Sequence, residues 1–312
     1  MATMLSGAAI MDAALLLVAA NEPCPQPQTE EHLMALTLIG IKDIIIIQNK
    51  IDAVSKDDAI KNYNEIKKFL NGTIAENSPI IPVSAKYNIN IDKIMEEICK
   101  LKTPVRDLKK DPVMYVARSF DINKPGSDIK NLFGGILGGS IKQGVLKVGD
   151  EVEISPGIRK DEHKQKWDPV RAKIADIKTG GKSVKEAVAG GSIAILTELD
   201  PSIVKSDNLA GNILGLMNKL PPVYYEISLE VKLFNRIIGL KTEQKVDPVK
   251  KGEGLMINVN SAVTLGIVSE LSKDKIHLIL KRPVCASPED RFSISRRVEN
   301  RWRLIGYGTI KR

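Results

Sequence analysis

Asn49, Lys50 and Asp52 follow the spacing Asn-Lys-x-Asp, directly after a run that begins with four consecutive isoleucines, Ile44 to Ile47. These side-chain types suit the reading of guanine. A carboxylate accepts two hydrogens, from N1–H and from the 2-amino group. Adenine offers neither, and an analogue without them leaves the carboxylate unpaired. Asn carries both an acceptor and donors, so it can reach the purine edge while bracing its loop. The long Lys stem can lie on the base face. Asn and Asp are also common at strand ends, so a four-residue pattern is a hypothesis until its context agrees.

A second strand supplies context. Pro79-Ile80-Ile81-Pro82-Val83 runs into Ser84-Ala85-Lys86. In a guanine-nucleotide fold this second loop covers the base O6 with a backbone N–H, and Lys86 packs over the ring opposite Lys50. Small residues there let the backbone come close. Two such loops, each ending a strand with a helix between, read as one guanine pocket formed by Asn49, Lys50, Asp52, Ser84, Ala85 and Lys86.

These loops need a scaffold. An unbroken β-branched run fits a central parallel strand buried on both faces, and open α/β sheets bind ligands at the carboxyl ends of their strands. Met1 to Ala9 reads as the tail of a helix, and Met11 to Ala20 as another buried strand. A strand after such a stub implies that the chain begins in the middle of a domain. Asn21 to Thr29 holds three prolines and reads as extended. Thr29 is expected to cap a helix with Glu30 and Glu31 in its first turn, Leu33, Met34, Leu36 and Leu38 inward, and Gly40 at its end. Ser55 with Asp58 starts the next helix, in which Ile60, Tyr63, Ile66, Phe69 and Leu70 recur at helical spacing until Asn71-Gly72. Asn90 is expected to cap a last helix with Ile91, Ile94, Met95 and Ile98 on one face. The alternation of strand and helix means a parallel sheet with crossover helices. So small a sheet exposes an edge or a hydrophobic face and should be less stable than the rest of the chain.

Lys102 to Pro112 is a basic, proline-bearing linker. The texture then changes to short apolar runs punctuated by Gly134-Gly135, Gly138-Gly139, Gly144 and Gly149, the pattern of a small β-barrel. Arg159 to Asp168 reads as a polar hairpin tip. Leu220-Pro221-Pro222 marks a second boundary. Beyond it, Tyr225, Ile227, Leu229, Val231 and Leu233 alternate on one face of the first strand of a second barrel. The expected domains are 1–105, 112–219 and 222–312. From Arg291 to Arg312 there are seven Arg or Lys and one Glu, a solvated strand face or a contact for RNA or protein.

Composition narrows the class. The 312 residues are 43% hydrophobic, 27% charged and 4% aromatic, with net charge +8. That suits a soluble globular protein. So few aromatics argue against a base-stacking platform for single strands, and the charge is compatible with a nucleic-acid or ribosome-associated partner. Cys24, Cys99 and Cys285 lie far apart, without metal-ligand spacing, and suit reduced cytosolic thiols. The apolar run Ala13 to Ala20 is too short to span a bilayer, and the start lacks the basic residues of a signal peptide. His32, His163 and His277 sit in unrelated contexts. Gly181-Lys182-Ser183 imitates the end of a P-loop, but Asp176 stands where the first Gly belongs, so it reads as a turn. No Gly-x-x-x-x-Gly-Lys-Ser/Thr occurs anywhere in the sequence.

A partial P-loop-type G domain, α/β with a parallel sheet and without its N-terminal half, followed by two β-barrels resembles the translational GTPases of the elongation factor Tu class. The more specific resemblance is to the gamma-subunit family of eukaryotic and archaeal translation initiation factor 2. Ala2-Thr3-Met4-Leu5-Ser6-Gly7-Ala8-Ala9 and Met11 to Leu17 resemble the stretch just past that family's Asp-x-x-Gly-His. Asn21-Glu22-Pro23-Cys24-Pro25-Gln26-Pro27-Gln28-Thr29 resembles its hallmark run. Ser119-Phe120-Asp121-Ile122-Asn123-Lys124-Pro125-Gly126 resembles the opening of its second domain. Ser295-Arg296-Arg297 and Trp302-Arg303-Leu304-Ile305-Gly306 resemble its last barrel. The resemblance places the family's P-loop, switch segments and Asp-x-x-Gly upstream of Met1, which reads as an internal methionine. It implies GTP or GDP as cofactor, with Mg2+ in the intact family but its ligands absent here, and little or no hydrolysis by this chain. It implies a cytoplasmic factor, outside any membrane, that works with alpha and beta subunits and carries methionyl initiator tRNA to the small ribosomal subunit. Alpha is expected on the first barrel and beta on the G domain. The aminoacyl end is expected near the loop Ser155-Pro156-Gly157-Ile158 and the turn Gly190-Gly191. The rival expectation is a non-catalytic scaffold that binds alpha and RNA through its barrels.

Overall fold

The structure is a computed structural model that describes residues 2–126, 128, 132–159, 166–239 and 244–310. Strands β1 (Ala13–Ala19), β2 (Asp43–Asn49) and β3 (Ile80–Pro82) form a parallel sheet in the order β1-β2-β3. Helices α1 (Ala2–Ala8), α2 (Pro27–Ile39), α3 (Lys56–Leu70) and α4 (Ile91–Lys100) accompany it. Side chains alternate across a strand, so the isoleucine run serves both faces. Ile44 and Ile46 pack with Leu16, Val18, Leu33, Leu36, Ile66 and Leu70, towards α2 and α3. Ile45 and Ile47 pack with Ile81, Val83, Ile91 and Ile94, towards α4.

Helix ends follow local chemistry, with two departures from expectation. Ser55 accepts a hydrogen bond from Asp58 N, as a helix cap should. Gly40 closes α2 in the left-handed conformation at φ 85°. Thr29, however, does not cap α2. Gln26 holds the N-cap position, Pro27 occupies the first turn, and Thr29 is buried inside the helix. Proline fits there because its missing N–H would have no helical partner. Asn90 stands at the N-cap of α4 at φ 59° but makes no side-chain cap. Its amide instead donates to Pro82 O at 2.8 Å. The apolar face of α4 is also less covered than its spacing suggests: Met95 is 56% exposed.

The first barrel consists of β4 (Val113–Phe120), β5 (Ile136–Lys147), β6 (Glu151–Arg159), β7 (Trp167–Thr179), β9 (Glu186–Thr197) and β10 (Ile213–Leu216), closed through a β6–β7 pairing. The short β8 (Lys182–Val184) extends β7, and Gly180-Gly181 makes the turn between them. Gly181-Lys182-Ser183 is thus a hairpin, as its context implied. Gly138-Gly139 is no turn. It lies inside β5, where a Cβ on Gly139 would stand 1.9 Å from Tyr115 O. Ser155 to Ile158 is likewise not a loop but an interruption of register within β6, and Gly190-Gly191 lies within β9. The tip expected over Arg159 to Asp168 falls largely outside the described residues, as does His163.

The second barrel comprises β11 (Val223–Leu233), β12 (Gly254–Val259), β13 (Ala262–Ser272), β14 (Lys275–Cys285), β15 (Arg291–Val298) and β16 (Arg301–Ile310), closed in the order β11-β14-β13-β12-β15-β16. A bulge between Tyr224 and Glu226 breaks the expected alternation of β11. Tyr224 therefore packs against the core, while Tyr225 is exposed and its hydroxyl bonds the backbone of Trp167.

The sheet joins the second barrel through apolar and charged contacts. Leu5, Ala35, Leu38 and Leu304 form one buried cluster. Around it, Glu31 pairs with Arg303 at 2.5 Å, Glu30 pairs with Arg236, and Arg291 Nη1 donates to Leu38 O. Lys142 reaches Asp290 between the barrels at 3.4 Å. Much of the basic C-terminal stretch is used in this way. Arg296 holds Glu253 and the Asp247 and Pro248 carbonyls, whereas Arg297 and Arg301 are exposed.

Among the described residues β1 is an edge strand, paired only to β2. Leu15 and Leu17, in register with Ile45 and Ile47, are 44% and 58% exposed. Local stability tracks buried apolar contact. Amides of β1 to β3 are expected to exchange with deuterium faster than those of β5, β9, β13 and β14 when the intact chain is followed by mass spectrometry.

Candidate functional site

The carboxyl ends of β2 and β3 lie side by side because their strands are hydrogen-bonded neighbours, with Val83 N donating to Gln48 O at 2.8 Å. Asn49 ends β2. Its backbone carbonyl accepts from Ala20 N at 2.8 Å, which fixes it against the end of β1. Lys50 then turns left-handed at φ 64°. That conformation is uncommon for a residue with a Cβ and requires outside support. Asn49 Oδ1 supplies it by accepting from Lys50 N at 2.7 Å.

The same Oδ1 accepts from Ala85 N at 3.1 Å. One amide oxygen thus joins the loop after β2 to the loop after β3. A second tie runs beside it: Ser84 Oγ donates to Asp52 Oδ1 at 2.5 Å and accepts from Tyr87 N at 3.3 Å. Ser84 is fully buried, and an antiparallel bridge to Ile89 closes its loop. Asp52, Lys50, Ala85 and Lys86 are exposed, at the carboxyl ends of β2 and β3.

The six residues picked out in the sequence are therefore brought together. Together they offer a carboxylate with one oxygen engaged by Ser84 and lone pairs to spare, the Asn49 amide donors, and a backbone N–H at Ala85. Two features escaped the sequence reading. The Ala85 N–H is satisfied by Asn49, so a base oxygen would have to take that bond over. Lys86 Nζ lies over the Tyr87 ring, 5.0 Å from its centroid, a cation–π contact.

A buried layer supports these loops from beneath. Gln48 is 1% exposed, and its amide donates to Ala59 O at 2.8 Å and to Asn62 Oδ1 at 2.9 Å. Asn62 in turn donates to Glu22 O at 2.8 Å. The signal for Gln48 was a lone polar residue continuing a run of isoleucines. Asn62 left no signal beyond a polar residue in an amphipathic helix.

The sequence matches the family model for the elongation factor Tu GTP-binding domain over residues 1–104, for elongation factor Tu domain 2 over 134–215, and for "Initiation factor eIF2 gamma, C terminal" over 225–310. Along its full length it is 53% identical to translation initiation factor 2 subunit gamma of Pyrococcus furiosus, of which it covers 76%. The chain belongs to the initiation factor 2 gamma-subunit family. Its identity to the gamma subunit of Methanothermobacter thermautotrophicus is also 53%, over 77% of that protein. Among solved structures, the elongation factor SelB of Methanococcus maripaludis superposes with a TM-score of 0.76 at 22% identity, over 100% of this chain and 67% of that one. That likeness shows the shared fold: a G domain with a parallel sheet, then two closed six-stranded barrels.

Two further observations bear on chemistry in this gamma-family chain. Among the described residues no group of three or more His, Cys, Asp or Glu is placed to hold a metal ion. A cavity of about 400 Å3 lies elsewhere, between α1, the end of α2, Tyr115, Lys142 and Arg291 at the junction of sheet and barrels. Next to the buried layer, burial and the nearby Glu65 push the Cys24 thiol up to about 12, and burial does the same for Cys285, whereas Cys99 is exposed. The thiolate is the reactive form. Titration of the native chain with a disulfide reagent at pH 8 is therefore expected to show one fast thiol, Cys99, a slower Cys24, and Cys285 reacting only on unfolding.

Proposed function

We propose that the chain acts as the nucleotide-reading and tRNA-carrying subunit of initiation factor 2, holding a guanine base between Asn49-Lys50-x-Asp52 and Ser84-Ala85-Lys86. The observation that supports this most directly is the double tie of Asn49 to Ala85 and Asp52 to Ser84, which sets a carboxylate and a backbone N–H at the same pair of strand ends. Asp52 accepts from N1–H and the 2-amino group of the base. Ala85 N–H turns from Asn49 to the base O6, and the stems of Lys50 and Lys86 cover the ring faces. GTP or GDP is the nucleotide. Magnesium and the phosphates would be held by groups other than these six residues, since the sequence contains no Gly-x-x-x-x-Gly-Lys-Ser/Thr.

In this reading the subunit works in the cytoplasm, where methionyl initiator tRNA is delivered to the small ribosomal subunit in a complex with alpha and beta. Alpha sits on the first barrel and beta on the G domain. The aminoacyl end meets the first barrel at Gly190-Gly191, beside Arg106. Ser155 to Gly157 are buried in β6, so that stretch shapes the barrel instead of offering a contact surface. A second reading is a non-catalytic scaffold that binds alpha and RNA through its barrels, which are the two closed sheets of the chain.

Calorimetric titration separates the two. The intact chain is expected to bind GDP weakly, and ADP more weakly still by a factor of about ten or more. Asp52→Asn should reverse the preference from GDP towards xanthosine diphosphate, because an amide donates to the 2-oxo group where a carboxylate only accepts. Equal binding of GDP and ADP, or no change in Asp52→Asn, would contradict the pocket and leave the scaffold. Phosphate release from GTP by the 312-residue chain should not exceed the uncatalysed rate, because positioning and charge stabilisation of the phosphates dominate this chemistry.

A further inference from the structure

We propose that the buried Gln48–Asn62 amide pair positions the guanine loop and makes its geometry depend on the grip of the second barrel on α2. This rests on the guanine reading above and adds to it a route by which the base side of the pocket communicates with the barrels.

The route consists of consecutive contacts. Gln48 immediately precedes Asn49, and its amide is held by Asn62 of α3. Asn62 donates to Glu22 O, and Glu65, one turn along α3, accepts from Cys24 N at 3.1 Å. Two side chains of α3 therefore fix residues 22–24, the turn that leads from β1 into α2. That turn ends at Gln26, the N-cap of α2. One turn into α2, Glu30 and Glu31 meet Arg236 and Arg303 of the second barrel.

Two properties make this more than proximity. The central groups are buried and polar: Gln48 is 1% exposed and Asn62 4%. A buried amide that loses one partner bears a desolvation penalty, so the pair does not deform by degrees. The barrel end is equally tight. A Cβ on Gly239 would lie 2.3 Å from Glu31 Cγ, so the barrel backbone is pressed against this carboxylate. Displacement of α2 against the barrel moves the 22–24 turn, pulls on Asn62 and Gln48, and shifts Asn49, whose Oδ1 sets both Lys50 and Ala85.

Asn62 and Gln48 are positioning residues in this scheme, since neither touches the base. The test uses the full-length chain, GDP as ligand, ADP as control, and the variants Arg303→Met, Asn62→Leu and their combination. Arg303→Met leaves a buried carboxylate unpaired, so Arg236→Met, at a more exposed pair, serves as the milder companion. Either arginine variant is expected to weaken GDP binding by about fivefold or more, with barrel unfolding followed in parallel to confirm that the fold persists. Asn62→Leu should also weaken binding. Adding Arg303→Met to it should then cost less than about twofold, because the connection is already cut. Unchanged GDP affinity in both arginine variants, or effects that simply multiply, would overturn the proposal. Should the unaltered chain fail to discriminate GDP from ADP, the guanine reading falls, and the coupling is read by hydrogen exchange alone. Faster exchange at Lys50 to Ala53 in Arg303→Met would sustain the coupling, and unchanged exchange would refute it.

Discussion

One hydrogen-bond acceptor, Asn49 Oδ1, holds the candidate pocket in shape. It stabilises the left-handed turn at Lys50 and reaches across to Ala85 on the neighbouring strand. Among the described residues it is the one acceptor that serves both loops, beside the backbone bond from Ile51 N to Val83 O at 3.3 Å. The sheet explains why one side chain can do both. β2 is buried on both faces, so its register is fixed by two apolar layers and its last residue emerges at a defined place. Ser84 and Asp52 then add a second bond across the same gap.

The same economy appears at larger scale. The net charge of +8 suggested a basic surface, yet several of the arginines that contribute to it are used inside the molecule. Arg236, Arg291 and Arg303 hold α2 against the second barrel, and Arg296 is bound within that barrel. Partly buried pairs of this kind lose heavily when one partner is removed. They fix where the sheet sits relative to the barrel more than they add net stability. Arg106 similarly ties the linker to Asp12 at the start of β1.

Much of this was legible in the sequence because it depends on local rules. The isoleucine run, the Ser55 cap and Gly40 each express a single-residue preference, and the structure follows them. That the two candidate loops lie together was legible for a related reason: neighbouring parallel strands place their carboxyl ends side by side. Departures arise where a partner distant in sequence decides. Thr29 is an exception of local origin: α2 starts earlier, at Pro27, and Gln26 holds the N-cap position without a side-chain cap. Gly138-Gly139 looks like a turn but admits Tyr115 of the neighbouring strand. Tyr225 leaves the barrel core because of a bulge. The Asn62 link to Glu22 spans forty residues, and no local pattern encodes it.

The most direct test concerns the Ala85 amide. In a 15N-labelled sample, GDP should shift the Ala85 resonance, together with Lys50, as the N–H passes from Asn49 to the base, while ADP at equal concentration leaves both in place. If GDP left the Ala85 and Lys50 signals unmoved, or if ADP moved them equally, these two loops would not be the reader of the base.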